Sequence, residues 1–192
     1  MMLTVLFLPA LNAEPDDNKA DKVLTATFAG GCFWCTEADF EKVEGVIEVV
    51  SGYMGGTGAN PTYKTYISKG HIEVVQIKYD ATRVSYGKLL EVLWRKINPT
   101  DPGGQFVDRG RGYISAIFYH NEEQRELAEA SKRKLAESGV FEEPIVTELL
   151  EATTFYPAEE YHQDYYKKNP VRYWYYRKNS GRDQFLKKIW DK

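Results

Sequence analysis

The chain has 192 residues, 43% of them hydrophobic and 28% charged, with a formal net charge of -3. That length suits one domain with a real core rather than two. So small a net charge argues against a polyanion as partner of the whole molecule, although nine basic residues stand against three acidic ones from Tyr161 to Lys192.

Met1 to Ala13 is an apolar run ending in small residues, and a polar stretch follows from Glu14 to Lys22. This is the pattern of the hydrophobic part and cleavage region of a secretory signal peptide, and it is too short to span a bilayer. The fit is incomplete, because no Lys or Arg precedes the run and Leu11 sits where a small residue is usual. Residues 1–22 are therefore expected to be a signal peptide or disordered leader, which implies a periplasmic or secreted protein, with a cytoplasmic one as the alternative. No later segment is apolar for long enough to be transmembrane.

From Val23 onward the apolar period alternates between two and three to four. The pattern predicts a strand over Val23–Ala29, a helix over Phe33–Val43, and strands over Val46–Gly52 and His71–Tyr79. Ser85 caps a helix reaching Ile97, Tyr113–Tyr119 is a strongly apolar strand, Asn121 caps a charged helix to Ser138, and Ile145–Glu151 is a further strand. The order predicts an α+β fold: a two-layer sandwich with a split β-α-β (ferredoxin-like) core and a long irregular aromatic C-terminal tail, all in a single domain over 23–192.

Both cysteines lie in Gly30-Gly31-Cys32-Phe33-Trp34-Cys35-Thr36-Glu37, where a strand stops and a helix starts. Unpaired amides and the helix dipole at such a start favour a thiolate, so Cys32 is expected to be the low-pKa nucleophile. A Cys-x-x-Cys at a helix start also brings Cys35 within reach of a disulfide. On the strand His71–Tyr79, alternation puts Glu73 on the side of His71 and Val75, where partial desolvation would raise its pKa. The glycine-rich stretch Gly52–Tyr63 lacks the Gly-Lys-Ser/Thr ending of a phosphate loop and opens no helix, which makes nucleotide binding improbable.

Four separated motifs in one order resemble those of the A-type peptide methionine sulfoxide reductases. They are the Gly-Cys-Phe-Trp segment with Glu37, the loop Gly52-Tyr53-Met54-Gly55-Gly56 through Asn60-Pro61-Thr62-Tyr63, the strand His71-Ile72-Glu73, and the stretch Asp108 to Ile117. The run Phe155 to Tyr165 resembles the family's closing segment, with Glu160 or His162 near the pocket. Gly112 and Ile114 depart from the family pattern, which has Gln and Arg there.

The resemblance implies that Cys32 attacks the sulfur of methionine S-sulfoxide, free or in proteins, while Glu73 gives the oxygen a proton. Tyr63 and Tyr113 would hold that oxygen, Asp108 would complete the site, and Phe33 and Trp34 would wall a pocket for the methyl group. Cys32 becomes a sulfenic acid. Resolution then falls to Cys35 or to an external thiol, since no cysteine follows Cys35, and a thioredoxin-like reductant would close the cycle. No cofactor, metal, nucleic acid or stable membrane association is implied, and the enzyme is expected to be a monomer.

Three other readings compete. A thioredoxin-like disulfide exchanger shares the Cys-x-x-Cys but has no use for Glu73, Tyr63 or Tyr113. A zinc site could draw on the cysteines with two of His71, His120 and His162, which lack finger spacing. The basic aromatic tail could bind nucleic acid, though such tails more often wrap a core with their cationic stems laid along it.

Overall fold

The computed structural model describes residues 22–191, so the expected leader lies outside the described residues except for Lys22. In chain order the elements are β1 (Val23–Gly30), α1 (Phe33–Phe40), β2 (Val46–Met54), β3 (Ile72–Asp80) and α2 (Tyr86–Trp94). A small hairpin, β4 (Gly104–Gln105) and β5 (Asp108–Arg109), precedes β6 (Ser115–Tyr119), α3 (Glu122–Glu137), β7 (Glu148–Glu151) and β8 (Tyr156–Pro157). The chain closes with α4 (Tyr165–Lys168), α5 (Pro170–Asn179) and α6 (Arg182–Trp190).

The main sheet has the order β7-β6-β1-β3-β2-β8. Its four central strands pair antiparallel, and β7 joins parallel to β6 at one edge. Alternation along the central strands supplies two apolar faces. Phe28, Val75, Ile77 and Ile117 pack with Phe40 of α1 and with Leu89 and Leu93 of α2. Ala29, Met54, Val74, Ala116 and Phe118 form the opposite face. Full burial of each large side chain contributes about 1.5–3 kcal/mol, so this two-sided burial is what fixes the register of β1 and β3. Glu73 lies directly across from Tyr53 in that register, on the same face of β3 as Val75 and Ile77. The face covered by α1 is therefore also the face that carries the carboxylate.

Ser85 and Asn121 cap α2 and α3 as the sequence predicts, each side chain accepting from an amide three residues on. Elsewhere the boundaries move for local reasons. Helix α1 ends at Phe40 rather than Val43, because Val43 N–H turns back to the Phe40 carbonyl ahead of Gly45 at φ 91°. Tyr113 is not in a strand: Arg111–Tyr113 form a 3-10 turn after Gly110 at φ 103°, and β6 begins at Ser115.

The expected irregular tail is the largest correction. Residues after Asp164 form three short helices, with Pro170 starting α5 and Gly181 at φ 84° separating α5 from α6. Pro is tolerated in a first helical turn and Gly in a left-handed break, so the local chemistry fits helices. The period was unreadable because α5 has no fully buried residue, so no apolar stripe marks it.

Gly31 carries the chain from β1 into α1 at φ 80°, and a Cβ placed there would stand 2.5 Å from Cβ of Gln105. Gly31→Ala should therefore cost about 1–3 kcal/mol through backbone strain, with the clash in addition. Urea denaturation checks this, and an unchanged midpoint would show that the turn tolerates a side chain.

Candidate active site

Cys32 is the N-cap residue of α1 and is 6% exposed, whereas Cys35, one turn on, is 0% exposed. The expected amide cradle around Cys32 is used differently. Phe33 N–H donates to Oε2 of Glu73 at 2.9 Å, and the Tyr66 hydroxyl donates to Oε1 at 3.2 Å. The first amide of the helix thus holds the carboxyl and not the sulfur. Glu73 is 2% exposed, and burial pushes its pKa up to about 8 against those two donors. At neutral pH the group retains its proton.

The expectation that Cys32 has the lowered pKa is reversed in the free protein. Burial pushes the Cys32 thiol well up, with the adjacent Cys35 and Glu73 adding to the rise. Cys35 is lowered to about 7, first by the hydrogen bond from Cys32, and further by the charges of Arg182 and Arg177 against burial. Of the two sulfurs, the inner one is the more readily ionised.

A cleft of about 110 Å³ is lined by Cys32, Phe33, Trp34, Tyr63, Glu73, Asp108, Tyr113 and Tyr176. Of the residues chosen from the sequence, Cys32, Phe33, Trp34, Tyr63, Glu73, Asp108 and Tyr113 line it, while Cys35, one turn further along α1, and His162 and Glu160 do not. Burial raises the pKa of Tyr63 and Tyr113, so both hydroxyls remain protonated donors. Asp108 is also pushed up by burial, opposed by a hydrogen bond from Tyr176.

The scaffold around the cleft is aromatic. Trp34 stacks on Tyr165 with ring centroids 3.7 Å apart and donates from Nε1 to Nδ1 of His162 at 3.1 Å. Burial lowers the His162 pKa, which suits the acceptor role of Nδ1. Phe33, Tyr63 and Tyr161 surround the same imidazole. Glu160 accepts from Lys168 and is exposed, so of the two residues suggested near the pocket it is His162 that packs there.

Glu37 faces away from the cleft. It accepts from Asp164 N–H at 3.2 Å, fastening the C-terminal segment to α1, and burial pushes its pKa up to about 7. His71 has a structural position: Nδ1 accepts from Gly56 N–H at 3.1 Å, and Nε2 lies 2.7 Å from the Gly58 carbonyl, which pins the glycine-rich loop. Tyr63 is held in turn by its own N–H, which donates to Glu159 at 3.0 Å. Among the described residues no three His, Cys, Asp or Glu side chains form a metal-binding group. No described helix is long and apolar enough to cross a membrane.

Tyr66 and Tyr176 were not chosen from the sequence. Tyr66 reaches Glu73 past Gly112, where a Cβ would come within 3.0 Å of its hydroxyl. The departure from the family pattern at 112 therefore makes room for a second donor to the carboxyl.

A buried carboxyl with its proton has a consequence for stability. The native pKa of Glu73, about 8, lies above the ordinary 4.5, so its contribution to stability is fully present below 4.5 and is lost as pH rises through 8. Glu73→Gln should accordingly lose less stability than the wild type between about pH 5 and pH 9. Parallel urea titrations that decline equally would place the carboxyl in water.

A family profile for peptide methionine sulfoxide reductase matches residues 24–192. The peptide methionine sulfoxide reductase MsrA of Bacillus licheniformis is 57% identical over 173 residues, covering 89% of this chain and 96% of that one. The crystal structure of reduced Mxr1 from Saccharomyces cerevisiae superposes with a TM-score of 0.73 at 29% identity, over 78% of this chain and 87% of that chain. Methionine sulfoxide reductase A of Corynebacterium diphtheriae gives a TM-score of 0.67 at 32% identity, over 78% and 76% of the two chains.

Proposed function

The chain belongs to the peptide methionine sulfoxide reductase family, A type, as a peptide-methionine (S)-S-oxide reductase, and on that premise we propose how its residues divide the work. Cys32 attacks the sulfoxide sulfur while Glu73 delivers its proton to the oxygen. What supports this above all is the convergence of Cys32, protonated Glu73, Tyr63 and Tyr113 on one small cleft. Cys35 neighbours Cys32 and is the more acidic of the two, so passing the Cys32 proton to the Cys35 thiolate makes Cys32 the attacking thiolate. Tyr63 and Tyr113 hold the oxygen as donors, and Phe33 and Trp34 enclose the methyl group.

The protonated oxygen leaves the substrate sulfur as water; a water then attacks the Cys32 sulfur, the bond between the two sulfurs breaks with its electron pair on the departing methionine, and Cys32, oxidised by two electrons, becomes a sulfenic acid. Cys35 resolves it to a disulfide, and a thioredoxin-like dithiol reduces that disulfide. We read the enzyme as a monomer acting on free and protein-bound substrate, and the apolar N-terminal run as an export signal that places it in the periplasm or outside the cell. The central order β6-β1-β3-β2, reached through a helix after β1 and another after β3, supports a split β-α-β (ferredoxin-like) core.

Glu73→Gln keeps the size and one oxygen to accept from Phe33 N–H but has no acidic proton to transfer. Methionine formation in a single turnover should fall about 10²- to 10⁴-fold, and the wild-type rate should itself decline as pH rises through about 8. A loss below about threefold would remove Glu73 from the chemistry.

Cys35→Ser separates the two halves of the cycle. With excess sulfoxide and no reductant it should form one methionine per chain and stop as a sulfenic acid that dimedone traps, while the wild type stops as a disulfide with no free thiol. Normal cycling of Cys35→Ser with thioredoxin would assign resolution to the external thiol.

A further inference from the structure

Arg182, at the start of α6, is 1% exposed and among the largest fully buried side chains. Its Nη2 donates to the Gly30 carbonyl at 2.8 Å and its Nη1 to the Lys96 carbonyl at 2.5 Å. The guanidinium also lies 4.6 Å from the centroid of Phe106. Among the described residues no carboxylate pairs with it, in contrast to Arg177, which has Asp39 and Asp183 each at 2.9 Å. Carbonyl dipoles and a ring face soften the loss of hydration but do not cancel a charge, and a buried cation without an anion is strongly disfavoured.

Its charge reaches the Asp108 carboxyl, which it helps hold down, and its place in the fold points to a second anion. Gly30 and Gly31 lead directly into Cys32, and a Cβ built on Gly31 would lie 3.3 Å from Nη2 of Arg182. The positive charge therefore sits beneath the turn that carries both sulfurs. We propose that Arg182 is the fixed countercharge of the Cys35 thiolate, formed each time the enzyme is resolved and recycled. This rests on Cys35 being the resolving thiol. Arg182 touches no reacting atom and acts through Cys35, so it is a positioning residue.

The chemistry needs such a charge in both directions. In resolution the Cys35 thiolate attacks the Cys32 sulfur, the S–S bond forms as the S–O bond breaks, and the departing hydroxide takes up a proton and leaves as water. Cys35 is oxidised and the sulfenic sulfur is reduced. In recycling, a thiolate of the external dithiol attacks Cys32, and the electron pair of the S–S bond leaves on Cys35. A more stable Cys35 thiolate is both more abundant at neutral pH and a faster leaving group. The other groups around Cys35 do not supply this charge on their own: Asp39 opposes it and largely neutralises Arg177, while Cys32, Tyr173, Tyr176 and the protonated Glu73 bring no positive charge.

The test is a single turnover with excess methionine sulfoxide and no reductant, in which methionine release reads the attack by Cys32 and loss of free thiol reads disulfide formation. Arg182→Gln should release methionine within about threefold of the wild-type rate but form the disulfide about tenfold more slowly at neutral pH, recovering above the ordinary thiol range near 8.5. Arg182→Lys, which keeps the charge, should restore most of the rate. No slowing, slowing that persists at high pH, or equal loss in both steps overturns the proposal. Should Arg182→Gln fail to fold, Cys32→Ser decides with Arg182 intact: the ultraviolet absorbance of the Cys35 thiolate must titrate below about 8.5, and a midpoint at or above that value overturns it. Normal thioredoxin-driven cycling of Cys35→Ser removes only the resolving role, leaving the Cys35 titration to judge the countercharge.

Discussion

A carboxyl group taken out of water either keeps its proton or finds a countercharge, and Glu73 keeps its proton. Its two oxygens accept from Phe33 N–H at the start of α1 and from the Tyr66 hydroxyl in the loop between β2 and β3. The first of these bonds joins the central strand β3 to the helix that carries the cysteines, so the distance between acid and nucleophile is tied to a backbone amide of that helix. The turn at Gly31 serves the same junction, since only a left-handed backbone there lets α1 begin over Glu73. Acid, sulfur and turn are one constraint seen from three residues.

The C-terminal helices close this arrangement from outside. Trp34 is fixed by stacking on Tyr165 and by its bond to His162, and α1 is fastened to the same segment through Glu37 and Asp164. Tyr176 of α5 reaches Asp108, and Arg182 of α6 reaches back to the end of β1. A segment with little regular apolar pattern thus holds several groups of the site in place. The basic surplus of this segment is used in the same way: Arg177 pairs with buried Asp39, and Arg182 lies beneath the cysteine turn.

The strands and capped helices were legible in the sequence because each carries a period or a cap: alternation in β1 and β3, Ser85 before α2, Asn121 before α3. The site was legible where a residue type is itself informative, as with Cys32 between Gly31 and Phe33, or Glu73 between Ile72 and Val74 at the apolar start of β3. Tyr66 was not, because its part depends on a path past Gly112 that no local pattern encodes. Tyr176 and Arg182 come from a tail whose helices bury too little to show a stripe. The protonation of the cysteine pair was misread because a helix start is only one of several influences. Burial and the loss of the Phe33 amide to Glu73 outweigh it at Cys32.

The two proton positions belong together. Were Glu73 ionised, a second negative charge would stand beside that of the sulfur pair, in a cleft where charges interact far more strongly than in water. Keeping Glu73 neutral lets the sulfur pair hold the negative charge, and Arg182 and Arg177 draw that charge inward, to Cys35, away from the carboxyl. The free enzyme thus keeps an acid and a thiolate apart by one turn of helix without their neutralising each other. A sulfoxide is the ligand that uses both at once, because its oxygen takes the proton from one side while its sulfur takes the electron pair from the other. Passing one proton from Cys32 to the Cys35 thiolate is then the only charge movement needed before the bond to sulfur forms.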